Sequence, residues 1–142
     1  MAGLQTGITA RDMGYQGVVH TLVERITYLK ENTIVDFVSG KLPAKASVIG
    51  GGVHVVTAFS DSGTDTLDVG FRDGSSTDDP DAYATLLLVS AIGFIAFDEL
   101  AAVTNIRQTK DCFVTWRYNG ANNDAAAGEA YIVVQYVLPV NP

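Results

Sequence analysis

The sequence predicts an all-β fold, an antiparallel β-sandwich of about eight strands preceded by an extended N-terminal arm. Three observations carry that expectation. Val53–Phe59, Leu67–Phe71, Phe113–Tyr118 and Ala130–Val137 are short runs, rich in β-branched and aromatic residues, that largely alternate apolar with polar positions. Clusters of Gly, Asp, Asn and Ser separate them, which is turn chemistry. Charged residues make up only 18% of the 142-residue chain against 47% hydrophobic, a composition that fits a packed core with some surface covered by another chain.

The length suits one domain that can bury a core without disulfides, divided here into an arm over residues 1–22 and a sandwich over residues 23–142. Residues 1–20 carry Gly3, Gly7, Gly14 and Gly17, and few large apolar side chains beyond Leu4, Ile8, Met13 and Tyr15. Such a segment cannot repay its ordering entropy alone, so it reads either as a frayed terminus or as an arm laid across a partner.

Val23–Leu29 and Thr33–Val38 flank Lys30-Glu31-Asn32 and read as a hairpin. Val48–Phe59 is a long strand interrupted by Gly50-Gly51-Gly52, which predicts a bulge or bend. No helix signal or P-loop lysine follows those glycines, so a phosphate cradle is disfavoured. Asp61–Asp65 is a compact turn closing a hairpin with the next strand, in which Leu67, Val69 and Phe71 share one face. Asp73–Asp81 is the most polar loop, Ala82–Val89 is either extended or one helical turn, Gly93–Glu99 is a strand and Leu100–Asn105 a loop.

The last two strands, Lys110–Tyr118 and Glu129–Leu138, are expected to be adjacent and antiparallel across the loop Asn119–Gly128, with Trp116 buried and Trp116 and Tyr136 both core residues. In the final strand Ala130, Ile132, Val134 and Tyr136 form one face, yet Tyr131, Val133 and Val137 make the other face apolar as well. A strand apolar on both faces must be covered twice, by the core and by something else, so these three residues are interface candidates alongside Leu4, Ile8, Met13 and Tyr15 of the arm.

Net charge is −7 and unevenly placed. Residues 1–50 hold five basic against four acidic residues, and residues 51–142 hold four against twelve. So acidic a body repels nucleic acid. The lone cysteine, Cys112, excludes an intrachain disulfide and a cysteine metal cluster, and its strand parity makes it a buried apolar filler. The N-terminus lacks the basic-then-apolar pattern of a secretion signal. The longest apolar stretch, Ala82–Phe97, is broken by Thr85, Ser90 and Gly93 and falls short of the ~20 residues that span a bilayer, so no membrane partner is expected.

Catalytic chemistry finds little to stand on. His20 and His54 have no nucleophile motif nearby, and two distant histidines make no zinc site. Asp73, Asp78, Asp79 and Asp81 could attract calcium, but they lack EF-hand spacing and its terminal glutamate, and turn chemistry accounts for the loop without a cofactor. A hydrolase built on these carboxylates lacks a second catalytic group. Trp116, Tyr118, Tyr131 and Tyr136 could offer a sugar-stacking platform, against which core packing is the simpler reading.

The residues Lys41–Ile49 leading into Val53–Phe59, the turn Asp61–Asp65 with Leu67-Asp68-Val69-Gly70, the stretch Asp79–Thr85, and the closing runs Val114–Tyr118 and Ala126–Val137 together resemble the capsid cement, or decoration, proteins of tailed bacteriophages. The resemblance is one of cadence, spans about Ile34 to Val137, and leaves the first thirty or so residues outside it. It implies a jelly-roll-like sandwich on the outer capsid surface of a virion. It also implies a non-enzymatic protein without cofactors whose partners are the major capsid protein and its own copies, as a homotrimer or otherwise a homodimer. Related-looking sandwiches also serve in phage tails and fibres, where a receptor-binding module would contact host glycans.

Overall fold

The computed structural model describes residues 18–74, 78–101 and 110–138. Its eight strands are β1 (His20–Thr27), β2 (Ile34–Leu42), β3 (Ser47–Thr57), β4 (Asp65–Arg72), β5 (Asp79–Leu88), β6 (Gly93–Ala96), β7 (Cys112–Gly120) and β8 (Glu129–Val137). They form two four-stranded antiparallel sheets, ordered β1-β8-β3-β6 and β2-β7-β4-β5. That order, with the chain stepping repeatedly from one sheet to the other, is a jelly roll. The expected all-β sandwich of about eight strands is therefore what forms.

The core lies between the sheets and follows the predicted alternation. Leu67, Val69 and Phe71 of β4 and Cys112, Val114, Trp116 and Tyr118 of β7 are buried from one side. Val48, Val53 and Val55 of β3 and Ala130, Ile132 and Val134 of β8 meet them from the other. Trp116, 4% exposed, sits between Val35 and Val69 on its neighbouring strands. The triple glycine produces the expected irregularity, a register shift between Val48 and Gly50. Gly51 adopts φ +131°, and a Cβ there would run into the Val133 carbonyl and stand 2.8 Å from the Phe97 ring. Only glycine allows β3 that close to β8.

Three pairings expected from the sequence are overturned. β1 and β2 are not a hairpin, because the chain turns through a 3-10 segment at Tyr28–Lys30 and crosses to the other sheet. The Asp61–Asp65 turn likewise joins β3 to β4 across the sandwich. β7 and β8 face each other from opposite sheets, so Trp116 and Tyr136 do not lie on adjacent strands. These connections cover residues 28–33, 58–64 and 121–128, long enough to bridge sheets about 10 Å apart. Ala82–Val89, left open between extended and helical, belongs largely to β5. β1 begins at His20, inside the segment that the sequence assigned to the arm.

Candidate docking surface

On the outer face of the β1-β8-β3-β6 sheet, register places side chains of four strands in rows. One row runs Arg25, Tyr131, His54 and Phe94, and the next runs Val23, Val133, Gly52 and Ala96. Val23, Tyr131 and Phe94 are exposed, as are Ile49 and Val56 farther along β3. The Phe94 ring lies over bare backbone, since a Cβ at Gly52 would stand 2.5 Å from its Cζ. The charges on this face are at one margin, where Arg25 Nε donates to Glu129 Oε2 at 2.5 Å. An exposed pair of this kind adds little stability. Strand alternation thus located two members of this surface, Tyr131 and Val133. Val137, opposite Ser47 at the end of the strand, is half-buried. Leu4, Ile8, Met13 and Tyr15 lie outside the described residues.

The opposite sheet presents a different outer face. Arg72 pairs with Asp36, while Lys41 and Arg72 both stand over the Phe113 ring, 4.5 and 5.9 Å from its centroid. Asp68 accepts hydrogen bonds from the Leu86 amide at 2.8 Å and from Asn119 Nδ2 at 3.1 Å. Ile34 and Val38 on edge strand β2, and Leu86 and Leu88 on edge strand β5, are exposed aliphatic side chains of this sheet, at its two margins. Charges compensated in this way suit a solvated face.

A second apolar surface, at the β5–β6 corner, was not picked out by alternation. Leu86, Leu88, Ile92 and Phe94 are all exposed there. The available signal was that Ala82–Phe97 contains no charged residue, although so long a run could not all turn inward.

Two polar clusters are accounted for by structure. At one end of the sandwich, Asp65 Oδ1 accepts from Tyr118 Oη at 2.5 Å and from the Asp61 amide at 2.8 Å. Asp61 in turn accepts from the amides of Gly63, Asn122 and Asp124. The carboxyls of Glu31 and Asp61 converge on the space left by Gly120. Burial, then the Asp61 hydrogen bond, raises Glu31 above the usual carboxylate range. Burial pushes Asp61 the same way, but Glu31 and the three amides outweigh it and hold Asp61 well below its ordinary value. In the Asp73–Asp81 loop, Asp78 Oδ1 accepts from the Asp73 and Gly74 amides at 2.7 and 3.2 Å, as a turn-forming carboxylate does. Among the described residues no group of three or more His, Cys, Asp or Glu is placed to hold a metal ion, and no helix is long and apolar enough to cross a membrane.

The remaining candidates also have places. Cys112 is buried, and burial, followed by Asp73, Asp111 and Asp78, pushes its thiol up to about 12. His20 stacks on Tyr136 and His54 pairs with Tyr131. Those tyrosines are five positions apart on β8, about 17 Å along a strand, so the two histidines do not share a site. Trp116 and Tyr118 are buried, which removes them from any sugar-stacking platform.

No protein-family model matches this chain, and no curated protein sequence does. Three solved chains from phage capsid structures have a similar fold. A chain in the capsid of Ralstonia phage GP4 superposes with a TM-score of 0.66 at 20% identity, over 89% of this chain and 88% of that one. One in the acidic stable capsid structure of Helicobacter pylori bacteriophage KHP30 gives 0.64 at 18%, over 87% and 90%. One in the capsid asymmetric unit of cyanophage Pam1 gives 0.60 at 16%, over 98% of both chains. The whole jelly roll, rather than a fragment of it, is shared.

Proposed function

We propose that this chain is a non-enzymatic structural protein of a bacteriophage virion, a cement or decoration protein that binds the outer surface of the head and bridges major capsid proteins. The observation that carries the reading is the asymmetry at the middle of the two outer faces: one sheet turns Val23, Tyr131 and Val133 outward, whereas the other carries the compensated charges of Asp36, Arg72 and Asp68 there, with exposed aliphatic side chains at its margins. Its likeness in fold to chains of three phage capsids supports the same assignment. Binding only to the assembled lattice lowers that state's free energy, and many weak identical contacts sum over the shell.

In this reading the chain also associates with its own copies, as a trimer or otherwise a dimer. Leu4, Ile8, Met13 and Tyr15 of the N-terminal segment lie along a seam between neighbouring subunits. The acidic body projects outward, where like-charge repulsion keeps particles apart. The tail or fibre alternative loses support with the burial of Trp116 and Tyr118, which a glycan platform would need exposed. The test is co-sedimentation of the purified protein with mature shells that lack it. Saturable retention, with a raised rupture temperature of the shell, is expected; glycan binding without shell retention would favour the tail module.

A further inference from the structure

We infer that the β5–β6 edge is the surface through which copies of this chain join one another. The inference deepens the self-association in the reading above and rests on it; its test uses no shell, so its failure is distinguishable from a failure of shell binding. β5 and β6 are the terminal strands of the two sheets, joined by the short link after Leu88, and together they form one side of the sandwich. Along that side Leu86, Leu88, Ile92 and Phe94 are 57%, 66%, 72% and 63% exposed. With Ala91 and Ile95 they line a shallow concavity of about 410 Å³, and no residue lining it is charged. Exposed apolar side chains of this size and contiguity cover several hundred Å², the range in which a patch on a monomer marks an interaction site.

The choice of occupant follows from charge. A chain of net charge −7 repels its own copies, so they can meet at low cost only where both contribute no charge. An uncharged patch meeting itself across a symmetry axis satisfies that condition; a charged partner would leave its own groups desolvated and unpaired. Backbone geometry points the same way. Leu86 is held at φ +54°, in the left-handed region that a branched side chain rarely adopts, with its amide fixed by Asp68. In this conformation the side chain is turned out to solvent, a conformational cost that burial against a second copy would repay. A self-covering arm would have to cross from the far side, because β1 and β6 are opposite edges of their sheet.

Analytical ultracentrifugation of the full chain, without shells, tests this. The wild type should sediment as a multiple of 15.1 kDa, and Leu88→Glu combined with Ile92→Glu should return it to the single-chain mass with its thermal melt retained. A wild type that stays monomeric, or a folded double variant that stays oligomeric, overturns the inference. Cysteine cross-linking decides the matter should that variant not fold. Cys112 is buried, so Ile92→Cys adds an accessible thiol at the edge, and a short bismaleimide should then trap a two-chain species. Val38→Cys, 90% exposed on edge strand β2, should trap far less. Equal trapping at both sites, or none at position 92, contradicts the assignment.

Discussion

Phe94 of β6 lies across Gly52 of β3, so the most exposed aromatic ring of the β1-β8-β3-β6 sheet rests on a residue with no side chain. The same glycine lets the Ile95 carbonyl approach β3 closely. Gly52→Ala should therefore lift β6 and cost about 1–3 kcal/mol in overpacking. Phe94→Ser removes a ring that is already mostly in water and should change stability by no more than about 0.5 kcal/mol. Urea denaturation of the two variants checks the contrast, and equal effects would mean that Phe94 is a structural rather than a contact residue.

Tyr118 and Asp65 tie β7 to the start of β4 through a buried hydrogen bond to a carboxylate. Tyr118→Phe keeps the ring and removes the donor, so it should cost about 1.5–3 kcal/mol. The loss should be smaller in a background where Asp65 is already Asn. Additive losses in that double-mutant cycle would show that the two groups are not coupled.

Trp116 gives a direct test of the core. Trp116→Ala should cost ~3–5 kcal/mol through the cavity it leaves between Val35 and Val69. Native emission should be blue-shifted and shielded from iodide. A red-shifted, quenchable tryptophan would be inconsistent with the sandwich interior described here.

Much of this core was legible in the sequence because strand parity is a local property. Leu67, Val69 and Phe71, or Val114, Trp116 and Tyr118, declare their buried face by alternation alone. The same logic exposed Tyr131 and Val133, since a central strand with two apolar faces is legible before its neighbours are known. Strand partners were not legible. Asp61–Asp65 reads as a reversal of the chain, but nothing local says whether the following strand pairs with β3 or crosses to the facing sheet. The β5–β6 corner was missed for the same reason. Leu86 is exposed because it faces outward on β5 and Ile92 because it lies in the link between β5 and β6, and which residues of that apolar run face outward depends on long-range pairing.

The Glu31–Asp61 pair predicts a pH dependence with opposing arms. Glu31, raised when folded, contributes stability that is fully present below its ordinary value of 4.5 and is lost as pH rises through its folded value. Asp61, lowered when folded, contributes stability present above its ordinary value of 3.8 and lost as pH falls below it. For these two groups, stability should peak in mildly acid solution. Glu31→Gln, which retains an acceptor for the Ala125 amide, should abolish the decline above that peak. Thermal melts from pH 3 to pH 8 read this out, and an unchanged profile in the variant would assign the decline to other groups.

Deleting residues 2–17 should leave the melting temperature unchanged while reducing retention on shells, if this segment follows a seam between capsid subunits. A lowered melting temperature would instead place the segment against its own sandwich. Undiminished retention would shift the whole contact to the sheet face.

The most direct measurement is a cryo-electron microscopy reconstruction of shells decorated with this protein. The account predicts sandwich density on the outer surface with the β1-β8-β3-β6 sheet toward the shell, and with Tyr131 and Val133 within van der Waals contact of capsid subunits. Shells without such density, or a sandwich bound through the charged β2-β7-β4-β5 face, would contradict it.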